Sequence, residues 1–88
     1  MDLLLFTYPN CQKCEDLKSY LKESAFAAEV WDVAAPEGRT QIRAYLPNVR
    51  RDGQGAIILP TLVCREDGRV AAVHNNREEF AAWLRSRG

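Results

Sequence analysis

Leu3-Leu4-Leu5-Phe6-Thr7-Tyr8-Pro9-Asn10-Cys11-Gln12-Lys13-Cys14 is the stretch that decides how this chain folds. Its first four residues are apolar on both faces, as a central buried strand requires. Pro9 cannot continue such a strand, and Asn10 suits the N-cap of a helix. Beyond it Cys14, Leu17, Tyr20 and Leu21 keep helical spacing to about Ser24. Two thiols three residues apart at a helix start fall within disulfide reach, a Cα separation of roughly 4.4–6.8 Å. The unpaired N–H groups and partial positive charge of a helix N-terminus favour a thiolate, the nucleophile of disulfide exchange.

Working outward, Ala28 to Val33 reads as a second strand, so the first half is a βαβ unit with parallel strands. Pro36-Glu37-Gly38 opens a second helix with Ile42, Tyr45 and Leu46 as its core face and Pro47 as its end. A polar loop follows from Asn48 to Gly55. Ala56 to Cys64 is one apolar run interrupted by Pro60, and Asp67-Gly68 marks the turn to the partner strand Val70–Val73. Asn76 caps a last helix, with Glu79 in the capping-box position and Phe80, Trp83 and Leu84 facing the core. The order β-α-β-α-β-β-α buries these faces as an α/β fold: one mixed four-stranded sheet with three helices, in a single domain spanning 1–88.

Composition narrows the function classes. Twelve Lys+Arg balance twelve Asp+Glu, which argues against nucleic acid or an anionic membrane as the main partner. No segment approaches the ~20 apolar residues of a membrane span. Met1-Asp2 lacks the basic flank of an export signal, and three cysteines do not suit a secreted disulfide scaffold, so a cytoplasmic protein is expected.

The cysteine pair permits redox chemistry or metal ligation. A structural zinc needs four ligands, and beyond the pair the chain has only Cys64 and His74 to offer. No metal is therefore expected within one chain. The alternative is a dimer that pools its cysteine pairs around zinc or an iron–sulfur cluster. In the redox reading Cys11, at the cap, attacks, and Cys14, deeper in the helix, resolves the mixed disulfide. Topology brings three segments to one rim: the cysteine loop, Leu59-Pro60 and the last helix start. Tyr8, Leu59, Pro60, Asn75 and Asn76 are the candidate substrate contacts. A free peptide edge at Leu59 and an anion-friendly helix start at Asn76 would suit a thiol peptide or its carboxylate. His74 is expected to be a polar turn residue, Cys64 a buried inert thiol, and Arg50 and Arg51 solvated loop residues.

With these residues in view the chain resembles the glutaredoxin family of the thioredoxin fold over essentially its whole length. The resemblance rests on Phe6 to Cys14, on Ile58-Leu59-Pro60-Thr61, and on the element order. It implies thiol-disulfide exchange by Cys11 and Cys14, a cis Pro60, and substrate held on the Leu59 backbone. The Tyr8-Pro9-Asn10 lead-in resembles that of small glutaredoxin-like hydrogen donors for ribonucleotide reductase, which makes a disulfide-bearing protein the expected substrate of a monomer. Three departures stand out: Gln12-Lys13 between the cysteines in place of Pro-Tyr, Thr7 and Tyr8 where a basic residue is usual, and His74-Asn75-Asn76 in place of Gly-Gly. They put glutathione in question as reductant and make a flavoprotein reductase the alternative donor. No bound cofactor is expected.

Overall fold

A computed structural model describes residues 1–87. They form β1 (Asp2–Thr7), α1 (Gln12–Glu23), β2 (Glu29–Asp32), α2 (Pro36–Arg43), β3 (Thr61–Glu66), β4 (Arg69–His74) and α3 (Arg77–Ser86). The sheet order is β2-β1-β3-β4, with β1 parallel to β2 and antiparallel to β3, and β4 antiparallel to β3. This is the expected mixed four-stranded α/β arrangement. No helix among the described residues is long and apolar enough to cross a membrane.

β1 is buried on both faces because it is central and covered on both sides. Its side chains alternate between two cores, following the strand period of two. Leu3 and Leu5 join Leu17 and Leu21 of α1 and Phe80 of α3, while Leu4 and Phe6 join Ile42 of α2 and Val63. The hairpin between β3 and β4 turns at Asp67 and Gly68, both at positive φ (53° and 77°). Two left-handed residues match the right-handed twist of the flanking strands.

Three local expectations are corrected. The cap of α1 is Cys11, not Asn10, which takes φ 58° in the turn before it. Asparagine tolerates that left-handed conformation better than most residues. α2 ends at Arg43 rather than at Pro47. Pro47 disfavours helical geometry at Leu46, and the chain tightens into i to i+3 bonds such as Tyr45 N–H to the Ile42 carbonyl at 2.9 Å. Tyr45 still packs on Phe6, with ring centroids 6.0 Å apart, but Leu46 is exposed. Finally, regular pairing of the third strand begins only at Thr61, after Pro60, which has no N–H to give to the ladder.

Candidate active site

The cysteine pair sits where β1 hands over to α1. Cys11 has extended backbone geometry at the N-cap, and its Sγ accepts a hydrogen bond from the Cys14 N–H at 3.1 Å. The sulfur thus takes the place that a serine or aspartate oxygen fills in an ordinary cap. The Cα atoms are 5.2 Å apart and the two residues are joined as a disulfide. Cys11 is partly exposed, whereas Cys14 is 1% exposed and turned into the protein. Of the pair, only Cys11 meets solvent.

Register brings the three expected segments together. Phe6 pairs with Thr61 and Leu62 with His74, so the end of β1, the start of β3 and the end of β4 share one sheet edge. The Leu59-Pro60 peptide is cis. A groove of about 480 Å³ runs between Lys13 on α1, Ile58-Leu59 and the α3 start. Of the five candidate contacts, Leu59, Asn75 and Asn76 line it. Pro60 lies fully buried beneath, and Tyr8 points into solvent outside the groove wall, 55% exposed.

A polar network builds one wall. The Asn75 amide donates to the Ile58 carbonyl at 3.1 Å and the Pro60 carbonyl at 2.9 Å, one on each side of Leu59. Asn76 Oδ1 caps α3 by accepting the Glu79 N–H at 2.8 Å. Glu79 Oε1 accepts from the Asn75 N–H at 3.1 Å and from Arg50 Nη1 at 2.7 Å. Arg50 also donates to Asn75 Oδ1 at 3.2 Å and to the Val73 carbonyl at 3.1 Å. Burial pushes the Glu79 carboxyl up, but the Asn75 N–H and the Arg50 guanidinium outweigh it and hold the group below its ordinary range. Arg50 is a half-exposed loop residue, as expected, and in addition ties its loop to the α3 start. The capping-box spacing signalled Glu79, but no local pattern signalled its partner 29 residues earlier.

His74 is likewise not a turn residue. It ends β4, is 7% exposed, and packs against Phe80 and Trp83 with ring centroids at 5.9 and 5.3 Å. Its ring nitrogens have no hydrogen-bond partner, and Nδ1 stands 3.9 Å from Glu79 Oε1. Burial drives its pKa below the usual value; Glu79 opposes that shift and Arg50 adds to it. Cys64 is fully buried between Leu3 and Ala72, and burial pushes its thiol up to about 12. It cannot serve as a nucleophile near neutral pH. Among the described residues, no group of three or more His, Cys, Asp or Glu side chains is placed to hold a metal ion.

The fold has solved counterparts. The thioredoxin-like protein BC3987 is 25% identical, with a TM-score of 0.62 over 94% of this chain and 99% of that one. A single-residue variant of the same protein is 24% identical, with a TM-score of 0.63 and the same coverage. No family model matches the chain, and no curated protein matches it. The architecture is thus thioredoxin-like, and its cysteine pair stands at disulfide distance beside a groove.

Proposed function

We propose that this chain is a glutaredoxin-like thiol-disulfide oxidoreductase that reduces protein or small-molecule disulfides. One observation carries the reading. A partly exposed Cys11 sits at a helix start, its sulfur accepts the Cys14 N–H, and it is bonded to a buried Cys14.

In the reduced state the same N–H and the helix N-terminus stabilise a Cys11 thiolate. That thiolate attacks one sulfur of the substrate disulfide. The Cys11–substrate bond forms, the substrate S–S bond breaks, and the first substrate thiolate leaves. Cys14, deprotonated, then attacks the Cys11 sulfur, releases the second substrate thiolate and closes the Cys11–Cys14 disulfide. Two electrons pass from the dithiol to the substrate. In this reading the Leu59 backbone and the α3 start hold the substrate, with Tyr8 at the outer rim; the groove lined by Leu59, Asn75 and Asn76 supports it. A reducing compartment such as the cytoplasm suits a reversible pair. Glutathione or a flavoprotein reductase would return the pair to the dithiol. A disulfide-bearing enzyme of the ribonucleotide reductase kind is a fitting substrate.

The test is reduction of insulin and of bis(2-hydroxyethyl) disulfide by wild type, Cys11→Ser and Cys14→Ser. Wild type should turn over, Cys11→Ser should be silent, and Cys14→Ser should accumulate a mixed disulfide visible by intact-mass spectrometry. Absence of turnover with every donor, or activity surviving in Cys11→Ser, would overturn the proposal. Bound metal after anaerobic purification would point to the dimeric cluster-binding alternative.

A further inference from the structure

Three of the donors that would hold an anionic substrate in the groove beside Cys11 are already turned onto the chain's own carboxylate. Arg50 Nη1 and the Asn75 N–H converge on Glu79 Oε1 at 2.7 and 3.1 Å, and the Asn76 amide reaches Oε2 at 3.3 Å. A carboxylate is acceptor-only and answers each of these three donors. The remaining charges offer no compensating field. Arg77 lies on Glu78 at 3.3 Å, and Lys13 faces the groove together with Asp16. Cations and carboxylates along the wall therefore balance, and an incoming anion would have to displace Glu79 from three donors.

We propose that Glu79 is a specificity-determining residue that closes the groove to anionic thiols and disulfides, so that the site selects disulfides with neutral or cationic flanks. The proposal rests on the thiol-disulfide reading above and names the substrate class that the same site takes. It also assigns the donor role away from glutathione, whose carboxylates find their partners taken.

Pre-reduced protein, freed of reductant, is mixed with one disulfide at a time and the loss of its thiols is timed. Oxidised glutathione is the anionic disulfide, cystamine the cationic one, and bis(2-hydroxyethyl) disulfide the uncharged standard. Each rate is referred to the standard in the same variant and to free dithiothreitol. Wild type should favour cystamine over oxidised glutathione more than dithiothreitol does. Glu79→Gln, which retains capping-box chemistry, should move the ratio toward oxidised glutathione by roughly threefold to fivefold, the scale of one exposed charge contact. The Arg50→Gln/Glu79→Gln double variant should return it toward wild type. A wild-type preference for oxidised glutathione, an unmoved ratio in Glu79→Gln, or a shift that survives in the double variant each overturns the proposal. Failure to reduce even the uncharged disulfide would instead overturn the redox reading itself.

Discussion

The side-chain amide of Asn75 donates to the Pro60 carbonyl at 2.9 Å, and its second hydrogen goes to the Ile58 carbonyl at 3.1 Å. A single side chain at the entrance to α3 thereby clamps the backbone on both sides of Leu59. The same residue presents its oxygen to Arg50 and its backbone N–H to Glu79. The last helix and the segment beside the cysteines are thus held as one unit.

Asn75→Ala removes this clamp. A buried acceptor left without its donor costs about 1–3 kcal/mol, so the urea midpoint should fall by a corresponding amount at unchanged m-value. Activity toward a peptide disulfide should drop more than activity toward bis(2-hydroxyethyl) disulfide. Only the peptide has backbone groups to pair with Leu59. Equal losses on both substrates would reduce Asn75 to a purely stabilising role.

Acidification should weaken the fold in two windows. His74 has a folded pKa below its ordinary 6.5, so between the two values the unfolded chain binds the extra proton. Its contribution is present above about pH 6.5 and is lost as pH falls from there toward the folded value. Glu79 has a folded pKa below its ordinary 4.5, and its contribution is lost later, as pH falls through the folded value. His74→Phe should abolish the first window and leave the second. Denaturation midpoints measured at pH 7.5, about 5.5 and about 4 separate the two.

Cys64 should be invisible to thiol reagents while the protein is folded. With its pKa at about 12, the thiolate fraction near pH 8 is roughly one in ten thousand, and the group is fully buried besides. Oxidised native protein should therefore show no fast thiol with Ellman's reagent. Unfolding in guanidinium should reveal one per chain. Rapid labelling of oxidised native protein would mean that β3 opens readily.

Gly38→Ala sets two effects against each other. Helix propensity favours alanine by about 0.8–1.0 kcal/mol. A Cβ at this position, however, would overlap the Asp32 backbone carbonyl, where α2 begins against the end of β2. Backbone cannot rotate aside as a side chain can, and overpacking of this kind costs about 1–3 kcal/mol or more. Net destabilisation is expected, read as a lowered thermal midpoint. A stabilised variant would show that propensity wins here.

Much of the fold was legible because its signals are short-ranged. The Leu3–Phe6 run marked the central strand, the spacing of Cys14, Leu17 and Leu21 marked α1, and Asp67-Gly68 marked the hairpin. Asn76 and Glu79, three residues apart, announced the α3 cap. Even the meeting of cysteine loop, Leu59-Pro60 and α3 start at one rim followed from strand directions. Leu46 and His74 depart from expectation, and Arg50 gains a partner that no local pattern announces, for a common reason. Each depends on where a neighbouring segment passes in space: whether the helix persists to Pro47, where the loop after α2 folds back, and which face of β4 meets α3.

Sequence alone determined the dithiol at a strand-to-helix turn, the element order, and the division of β1 side chains between two cores. Those properties arise within a turn of helix or a strand's alternation, where neighbours along the chain are neighbours in space. Only the tertiary structure decided that the capping-box carboxylate of Glu79 also takes a cation, because the loop carrying Arg50 must return to the α3 start to reach it. A charge's partner is set by the path of the loop that carries it. For this chain that path sets a cation against the carboxylate at the helix start.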